Sequence, residues 1–130
     1  MDYEKILEDL EKTFIELIEE NKTIPIIVEG NKDIDALRKL GITGEIIGFN
    51  KGLSIPDFCD RIAKKYKHII ILTDWDRKGG YLCSTIKKNL ESQVECNTRY
   101  REIFATKTMI KTVEGLPSWI ETIKNKLRLN

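Results

Sequence analysis

The sequence predicts a single α/β domain: a mostly parallel, four-stranded sheet with helices on both faces. Short apolar runs typical of buried strands alternate with segments of helical periodicity. The links between them are short, and no internal repeat, low-complexity segment or linker interrupts the 130 residues. A composition of 41% hydrophobic and 33% charged residues is typical of a soluble globular domain with one core.

The first half of the chain is predicted to contain two helices and two strands. Apolar residues recur at steps of four and three from Tyr3 to Leu17, so residues 1–22 are expected to form an amphipathic helix packed on the domain. This helix should end before Pro25, because the residue ahead of a proline avoids the helical conformation. A strand is expected next, then a helix from about 31 to 40, and a short strand over 44–48.

The second half continues the alternation. Ser54 is expected to cap a helix, and the apolar run 69–72 is expected to be a strand buried on both faces. A helix, an edge strand over 93–97 and a short helix over 99–106 should follow. A last amphipathic helix should begin near Leu116, while residues 109–113 have no clear pattern. Residues 23–100 would form the core of the domain, and residues 101–130 a helical extension of it.

Two carboxylates follow the apolar run 69–72. Asp74 and Asp76 are two residues apart, so in an extended backbone their side chains point the same way. Two like charges a few ångströms apart repel by about 4 kcal/mol at an effective dielectric constant near 20. A divalent cation would remove this cost, and ligation by oxygen alone suits Mg²⁺ or Mn²⁺.

A third carboxylate, Glu29, follows the first predicted strand directly. In open parallel sheets, ligands bind outside the carboxyl ends of the strands. If the two strands are neighbours, Glu29 meets Asp74 and Asp76 at one edge of the sheet, although Glu29 could also simply cap the next helix.

These residues resemble the two signature motifs of the Toprim domain. The first is Glu29-Gly30-x-x-Asp33, and the second is Asp74-x-Asp76-x-x-Gly79. The resemblance covers roughly residues 23–100, which would be the Toprim core. The tail, with Arg99-x-Arg101 and the segment 113–117, is similar to that of small stand-alone Toprim proteins of archaea and some bacteria.

The resemblance implies an enzyme that acts on phosphodiester bonds of nucleic acid. Glu29, Asp74 and Asp76 would be the catalytic residues and would hold one or two Mg²⁺ ions, with Mn²⁺ as a substitute. Glu29 could also act as general acid or base. The leading hypothesis is a nuclease-like protein that cleaves RNA or DNA. The alternative is a metal-binding module that docks nucleic acid or a partner protein without cutting it.

Other residues of the two motifs would support the site. Asp33 could assist the metal ligands or simply favour the start of its helix. Basic side chains could hold a phosphate group, and glycines could let it approach the backbone closely. The basic candidates are Lys32, Arg77 and Lys78, and the glycines are Gly30, Gly79 and Gly80. Lys51, Arg99 and Arg101 are further basic candidates, each more typical of a solvated surface charge.

Charge is unevenly distributed although the net charge is only +1. Residues 1–22 carry 3 basic and 8 acidic groups, a net charge of −5, whereas residues 97–130 carry 7 and 3, a net charge of +4. A polyanion such as nucleic acid is therefore expected to meet the later segments rather than the first helix.

Several classes of protein are disfavoured. With His68 as the only histidine, a Ser-His-Asp hydrolase is improbable. No apolar run approaches the roughly 20 residues that span a bilayer, so no membrane contact and a cytoplasmic location are expected. Three cysteines lack disulfide or zinc spacing and are expected to be buried thiols: Cys59, Cys83 and Cys96. A topoisomerase, a full primase and a receiver-type phosphoacceptor domain are also disfavoured.

Overall fold

The protein was analysed as a computed structural model, which describes residues 2–49 and 52–129. The predicted α/β class is confirmed. Within the described residues the elements in chain order are α1 (Tyr3–Asn21), β1 (Ile26–Val28), α2 (Asn31–Lys39), β2 (Ile46–Gly48), α3 (Ile55–Lys65), β3 (His68–Ile71), α4 (Arg77–Leu90), β4 (Glu95–Asn97), α5 (Arg99–Lys107) and α6 (Leu116–Leu129). Lys51 lies outside the described residues.

The four strands form one sheet in the order β2-β1-β3-β4, and every pair is parallel. Strand β1 lies in the middle, with Ile26 opposite Ile46 of β2 on one side and Ile70 of β3 on the other. The strands that precede Glu29 and Asp74 are therefore neighbours.

Helices cover both faces of the sheet, and alternate strand residues contact each layer. Ile26 and Val28 of β1 pack into a cluster with residues of α1, α2, α5 and α6. Ile27, between them, packs on the other face with residues of α3 and α4. All three side chains are fully buried, which explains why β1 is an uninterrupted apolar run.

Strand β2 is shorter than predicted because Gly44 makes a close contact instead of pairing in the sheet. A Cβ atom at Gly44 would lie 2.2 Å from the backbone oxygen of Asn21. The Asn21 amide also donates to the carbonyl oxygens of Ile24 and Glu45, both at 2.9 Å. This junction fixes the end of α1 against the start of β2.

Strand β3 also differs from the sequence prediction, since it begins at His68 and ends at Ile71. Asp74 and Asp76 therefore lie in the connection to α4 and not in a continuous extended strand. Residues 108–115, which include the segment 109–113 that has no clear sequence pattern, form neither helix nor strand. No helix among the described residues is long and apolar enough to cross a membrane.

Candidate metal centre

The candidate site lies where the order of the strands reverses. From β1 the chain crosses to β2 on one side, and β3 lies on the other side of β1. A crevice forms outside the carboxyl ends of two such strands, because their connections leave in opposite directions. Glu29 follows β1 directly and Asp74 follows β3 after two residues, so both lie at this crevice.

Glu29 and Asp74 are linked by a hydrogen bond. The backbone N–H of Asp74 donates to Oε2 of Glu29 at 2.9 Å, across 45 residues of chain. Both residues are half-buried. The contact joins a side chain that follows β1 to the backbone that follows β3, and so fixes the Glu29 carboxylate relative to the Asp74 backbone.

The Asp74 carboxylate is held by the segment between α5 and α6. Its Oδ1 accepts a hydrogen bond of 2.8 Å from the backbone N–H of Val113. The next residue, Trp75, anchors the same segment, because its backbone and indole N–H groups donate to the carbonyl oxygens of Lys111 and Ile110. The Trp75 ring packs on the apolar cluster beneath the site and contacts the ring of Phe104.

Burial and neighbouring negative charge raise the pKa of Asp74 to about 7. Desolvation is the largest cause, the charges of Glu29, Asp33 and Asp76 add to it, and the Val113 hydrogen bond opposes them. The pKa of Asp33 is also raised, first by burial and then by the charges of Glu29 and Glu114. Several carboxylates are therefore crowded at this crevice.

An open cavity of about 490 Å³ lies over these groups. Its acidic lining residues are Glu29, Asp33, Asp74 and Glu114. Sequence reasoning missed Glu114 as a site residue, because it belongs to a segment without periodicity, two residues before α6. Asp33 is buried and accepts a hydrogen bond of 3.1 Å from the backbone N–H of Gly30, so it also stabilises the start of α2.

Asp76 has a different position. It is the N-cap of α4, and its Oδ1 accepts a hydrogen bond of 2.7 Å from the backbone N–H of Gly79. Asp76 does not line the cavity. Its charge nevertheless contributes to the raised pKa of Asp74, so the two carboxylates remain near each other.

The two neighbouring glycines at the start of α4, Gly79 and Gly80, have different surroundings. A Cβ atom at Gly79 would lie 1.9 Å from the carbonyl oxygen of Asp74. Only glycine therefore lets α4 approach the acidic connection, which is the segment between β3 and α4 that carries Asp74 and Asp76, this closely. At Gly80 the nearest atom would be a guanidinium nitrogen of Arg101, at 3.3 Å. Gly30, in the first motif, has extended backbone that any residue can adopt.

The basic candidates are distributed unequally around the site. Lys32 lines the cavity, whereas Arg77 and Lys78 are exposed in the first turn of α4. Arg101 is half-buried and donates three hydrogen bonds of 2.9 to 3.2 Å to the carbonyl oxygens of Thr73 and Asp74. It is a structural clamp on the acidic connection rather than a solvated charge. Arg99 instead pairs with Glu16 on the surface, and Lys51 lies outside the described residues.

The donor groups fit a magnesium ion chemically. All are carboxylate oxygens, the ligands that Mg²⁺ prefers. For Glu29 and Asp74, the described residues donate a hydrogen bond to only one of the two carboxylate oxygens. Within residues 2–49 and 52–129, no three acidic, histidine or cysteine side chains surround a common point. Mg²⁺ does not require such a cage, since it usually keeps several waters and binds through one or two carboxylates plus phosphate.

Comparison with known families identifies the domain. Residues 24–107 match the Toprim domain model. This segment of the chain includes both acidic motifs and Arg101. A Toprim domain implies a metal-binding function connected with nucleic acids, and the residues at this crevice agree with the metal-binding part of that description.

Relatives and a solved structure agree with this match. The chain is 46% identical over 102 residues to a UPF0292 protein of Thermoplasma volcanium, covering 78% of this chain and 86% of the relative. It is 36% identical over 121 residues to a UPF0292 protein of Methanocaldococcus jannaschii, covering 91% of each. A protein from Aquifex aeolicus has a similar structure, with a TM-score of 0.71, 26% identity, and coverage of 81% of this chain and 95% of that chain. The chain therefore belongs to the Toprim domain family and is a relative of the archaeal UPF0292 proteins.

Proposed function

We propose that this protein is a Mg²⁺-dependent phosphodiesterase that hydrolyses RNA or DNA. The observation that carries the proposal is the pairing of Glu29 with Asp74 at the carboxyl ends of β1 and β3. Two carboxylates in an open, acidic crevice offer the oxygen ligands that Mg²⁺ uses when a phosphate group completes its coordination.

Glu29 and Asp74 would hold the metal, with Asp76 as a further ligand. When bound, the ion would activate water and neutralise charge that develops on the phosphate during an in-line displacement. The chain's own contribution is positioning. The hydrogen bond between Glu29 and the Asp74 amide, and the one from Val113 to the Asp74 carboxylate, restrict both groups before a substrate arrives.

Phosphate would be oriented by basic side chains at the rim. Lys32 lines the cavity beside Glu29, and Arg77 and Lys78 follow Asp76 directly. A phosphate group that reaches the carboxylates therefore has positive charge available on more than one side. Asp33 and Glu114 would adjust the negative potential of the crevice rather than contact the substrate.

A cleavage assay tests the proposal. The purified protein is incubated with structured RNA, single-stranded DNA and duplex DNA, in EDTA and with Mg²⁺ or Mn²⁺. We expect metal-dependent cleavage of at least one substrate, lost in Asp74→Ala and Glu29→Gln. Glu121→Gln, a change of an exposed carboxylate on α6, is the matched control and should cleave as wild type does.

The second candidate function is a metal-binding module that docks nucleic acid or a partner protein without cutting it. One observation favours it: because Asp76 caps α4, only Glu29 and Asp74 are directly linked at the crevice. Metal-dependent binding of all substrates without any product would establish the module and overturn the hydrolase.

A further inference from the structure

The exposed face of α4 differs from that of the other helices that the structure describes. Arg77–Leu90 contains four cations and no carboxylate. Helices α1, α2, α3 and α5 each carry an acidic residue in the first turn, where the helix dipole favours negative charge. In α4 that turn carries Arg77 and Lys78 instead. The nearest carboxylates along the chain, Asp76 and Glu91, are its two caps.

Four exposed residues of α4 form one continuous stripe. They follow each other at steps of four, three and four, and so lie on one face of the helix. These residues, which we call the α4 stripe, are Arg77, Tyr81, Ser84 and Lys88. From Arg77 to Lys88 the stripe covers eleven residue steps, about 16 Å along the helix axis. Its first residue follows Asp76, the N-cap of α4, so the stripe begins at the connection that carries Asp74 and Asp76 and leads away from it.

The groups of the α4 stripe are free to bind a ligand. Neither Arg77 nor Lys88 takes part in an ion pair among the described residues. The side chain of Tyr81 is 70% exposed, and its ring makes no aromatic or cation contact within the described part of the chain. At this position, between two unpaired cations, a small polar residue would serve the fold as well as a large exposed aromatic ring does.

We infer that the α4 stripe binds a single strand of nucleic acid and leads it to the crevice of Glu29 and Asp74. Arg77 and Lys88 contact phosphates, Tyr81 stacks on an unpaired base, and Ser84 offers a hydroxyl to the backbone. Positive charge along a groove or face combined with an aromatic stacking platform is the usual recognition chemistry for single strands. Duplex ends and intact duplexes lack the unpaired base that Tyr81 needs.

This inference rests on the proposed function for the direction of the strand, but binding to the stripe does not require the metal. The test therefore measures binding in EDTA, separately from cleavage. Fluorescein-labelled DNA and RNA single strands of mixed sequence, and a DNA duplex, are titrated with protein and followed by fluorescence anisotropy at several salt concentrations. Phosphatidylserine vesicles serve as a probe for an anionic lipid surface.

Three variants address the stripe. Tyr81→Ala should weaken single-strand binding by roughly five- to a hundredfold, whereas Tyr81→Phe keeps the ring and should bind as wild type does. Lys88→Glu should weaken binding and reduce the slope of log affinity against log salt by about 0.7 for the lost phosphate contact. Lys12→Glu makes the same change of charge on α1, in the opposite layer, and should leave binding unchanged. Circular dichroism verifies that each exposed substitution leaves the fold intact.

The inference is overturned if wild type binds no single strand in EDTA, if Tyr81→Ala and Lys88→Glu bind as tightly as wild type, or if duplex or vesicles bind more tightly than single strands. Cleavage by wild type with normal binding by the stripe variants would reject the stripe and keep the proposed hydrolase. Loss of binding in these variants, without cleavage by wild type under any metal condition, would support the stripe and reject the hydrolase.

Discussion

The backbone amide of Asp74 donates a hydrogen bond to the carboxylate of Glu29, which lies 45 residues earlier in the chain. The contact exists because β1 and β3 are parallel neighbours in the middle of the sheet, so the residues that follow them meet at the same edge. It places one carboxylate of each Toprim motif in a shared, partly buried environment.

Magnesium should stabilise the folded protein through Glu29 and Asp74. A ligand present at a hundred times its Kd adds about 2.7 kcal/mol to the free energy of unfolding, and for a chain of this length that raises Tm by roughly 10 °C. In Asp74→Asn the amide oxygen can still accept from Val113, so the fold should survive while the magnesium shift disappears. Without metal this variant should melt higher than wild type, because one of the crowded charges is gone.

Differential scanning calorimetry with and without millimolar Mg²⁺ measures both effects. Glu121→Gln, on the exposed surface of α6, is the control and should keep the full magnesium shift. A wild-type Tm that does not change across millimolar Mg²⁺ would contradict the metal site.

The neighbouring glycines at the start of α4 should respond differently to the same substitution. Gly79→Ala places a methyl group against the Asp74 carbonyl, at 1.9 Å before relaxation, so the backbone must move and the free energy of unfolding should fall by more than about 2 kcal/mol. Gly80→Ala would approach a guanidinium nitrogen of Arg101 at 3.3 Å, and this nitrogen also donates to the Asp74 carbonyl oxygen, so the guanidinium group must shift by a few tenths of an ångström. The free energy of unfolding should change less than in Gly79→Ala, because alanine in a helix interior contributes up to about 1 kcal/mol and offsets this shift.

Urea denaturation of the two variants gives the comparison directly, and each glycine serves as the other's control. Equal changes for both positions would show that the close approach of α4 to Asp74 does not depend on Gly79.

The alternation of strands and helices could be predicted from the sequence because each element carries its own signal. Three-residue strands such as β1 are recognisable since both faces are buried and every residue is apolar. The adjacency of β1 and β3 does not follow from the sequence pattern alone, because the order of strands depends on which helices pack on which face. The bounds of β2 and β3 differ from the prediction, and for β2 the reason is the contact of Gly44 with Asn21.

The candidate site was less accessible to sequence reasoning. Glu29 and Asp74 could be named because each follows an apolar run. Glu114 and the amide of Val113 could not, since they reach the crevice through a segment without regular structure. The capping role of Asp76 depends on the backbone conformation of the connection after β3, which alternation along a strand does not describe.

Tyr100 should make stability depend on pH in the alkaline range. Burial, and then its hydrogen bond to Glu20, raises the pKa of Tyr100 to about 12 from an ordinary value of 10.0. The folded state therefore keeps a proton that the unfolded state loses. The stabilisation is complete below pH 10 and is lost as pH rises to about 12, so the free energy of unfolding should fall across this window.

Urea denaturation at intervals between pH 9 and 12 measures the slope. In Tyr100→Phe the fall should be smaller, and stability at neutral pH should be lower by about 1 kcal/mol for the lost hydrogen bond. Tyr81→Phe, which removes an exposed hydroxyl, should follow the wild-type curve. An identical slope in Tyr100→Phe and wild type would contradict the raised pKa.

Two arginines on α5 should differ in their importance. Arg101 holds the carbonyl oxygens of Thr73 and Asp74 with a guanidinium fork that lysine cannot reproduce. Arg101→Lys should lower the free energy of unfolding by about 1–2 kcal/mol and weaken the magnesium shift, because the position of Asp74 is less restricted. Arg99→Lys alters an exposed pair with Glu16 and should cost less than about 1 kcal/mol.

Melting curves of both variants with and without Mg²⁺ test the difference. If Arg101→Lys keeps wild-type stability and the full magnesium shift, the clamp is not needed to position Asp74.

Asp76 allows its capping role to be separated from a role in metal binding. Its Oδ1 accepts from the backbone of Gly79, and asparagine at the N-cap can accept in the same way. Asp76→Asn should therefore keep the Tm that wild type has without metal. Asp76→Ala removes the cap, so its free energy of unfolding should fall by about 1 kcal/mol. Because the motif implies that Asp76 also holds the metal, both variants should lose the magnesium shift. Calorimetry at zero and millimolar Mg²⁺ distinguishes the two roles: a full shift in Asp76→Asn would assign Asp76 to the helix alone and leave the metal to Glu29 and Asp74.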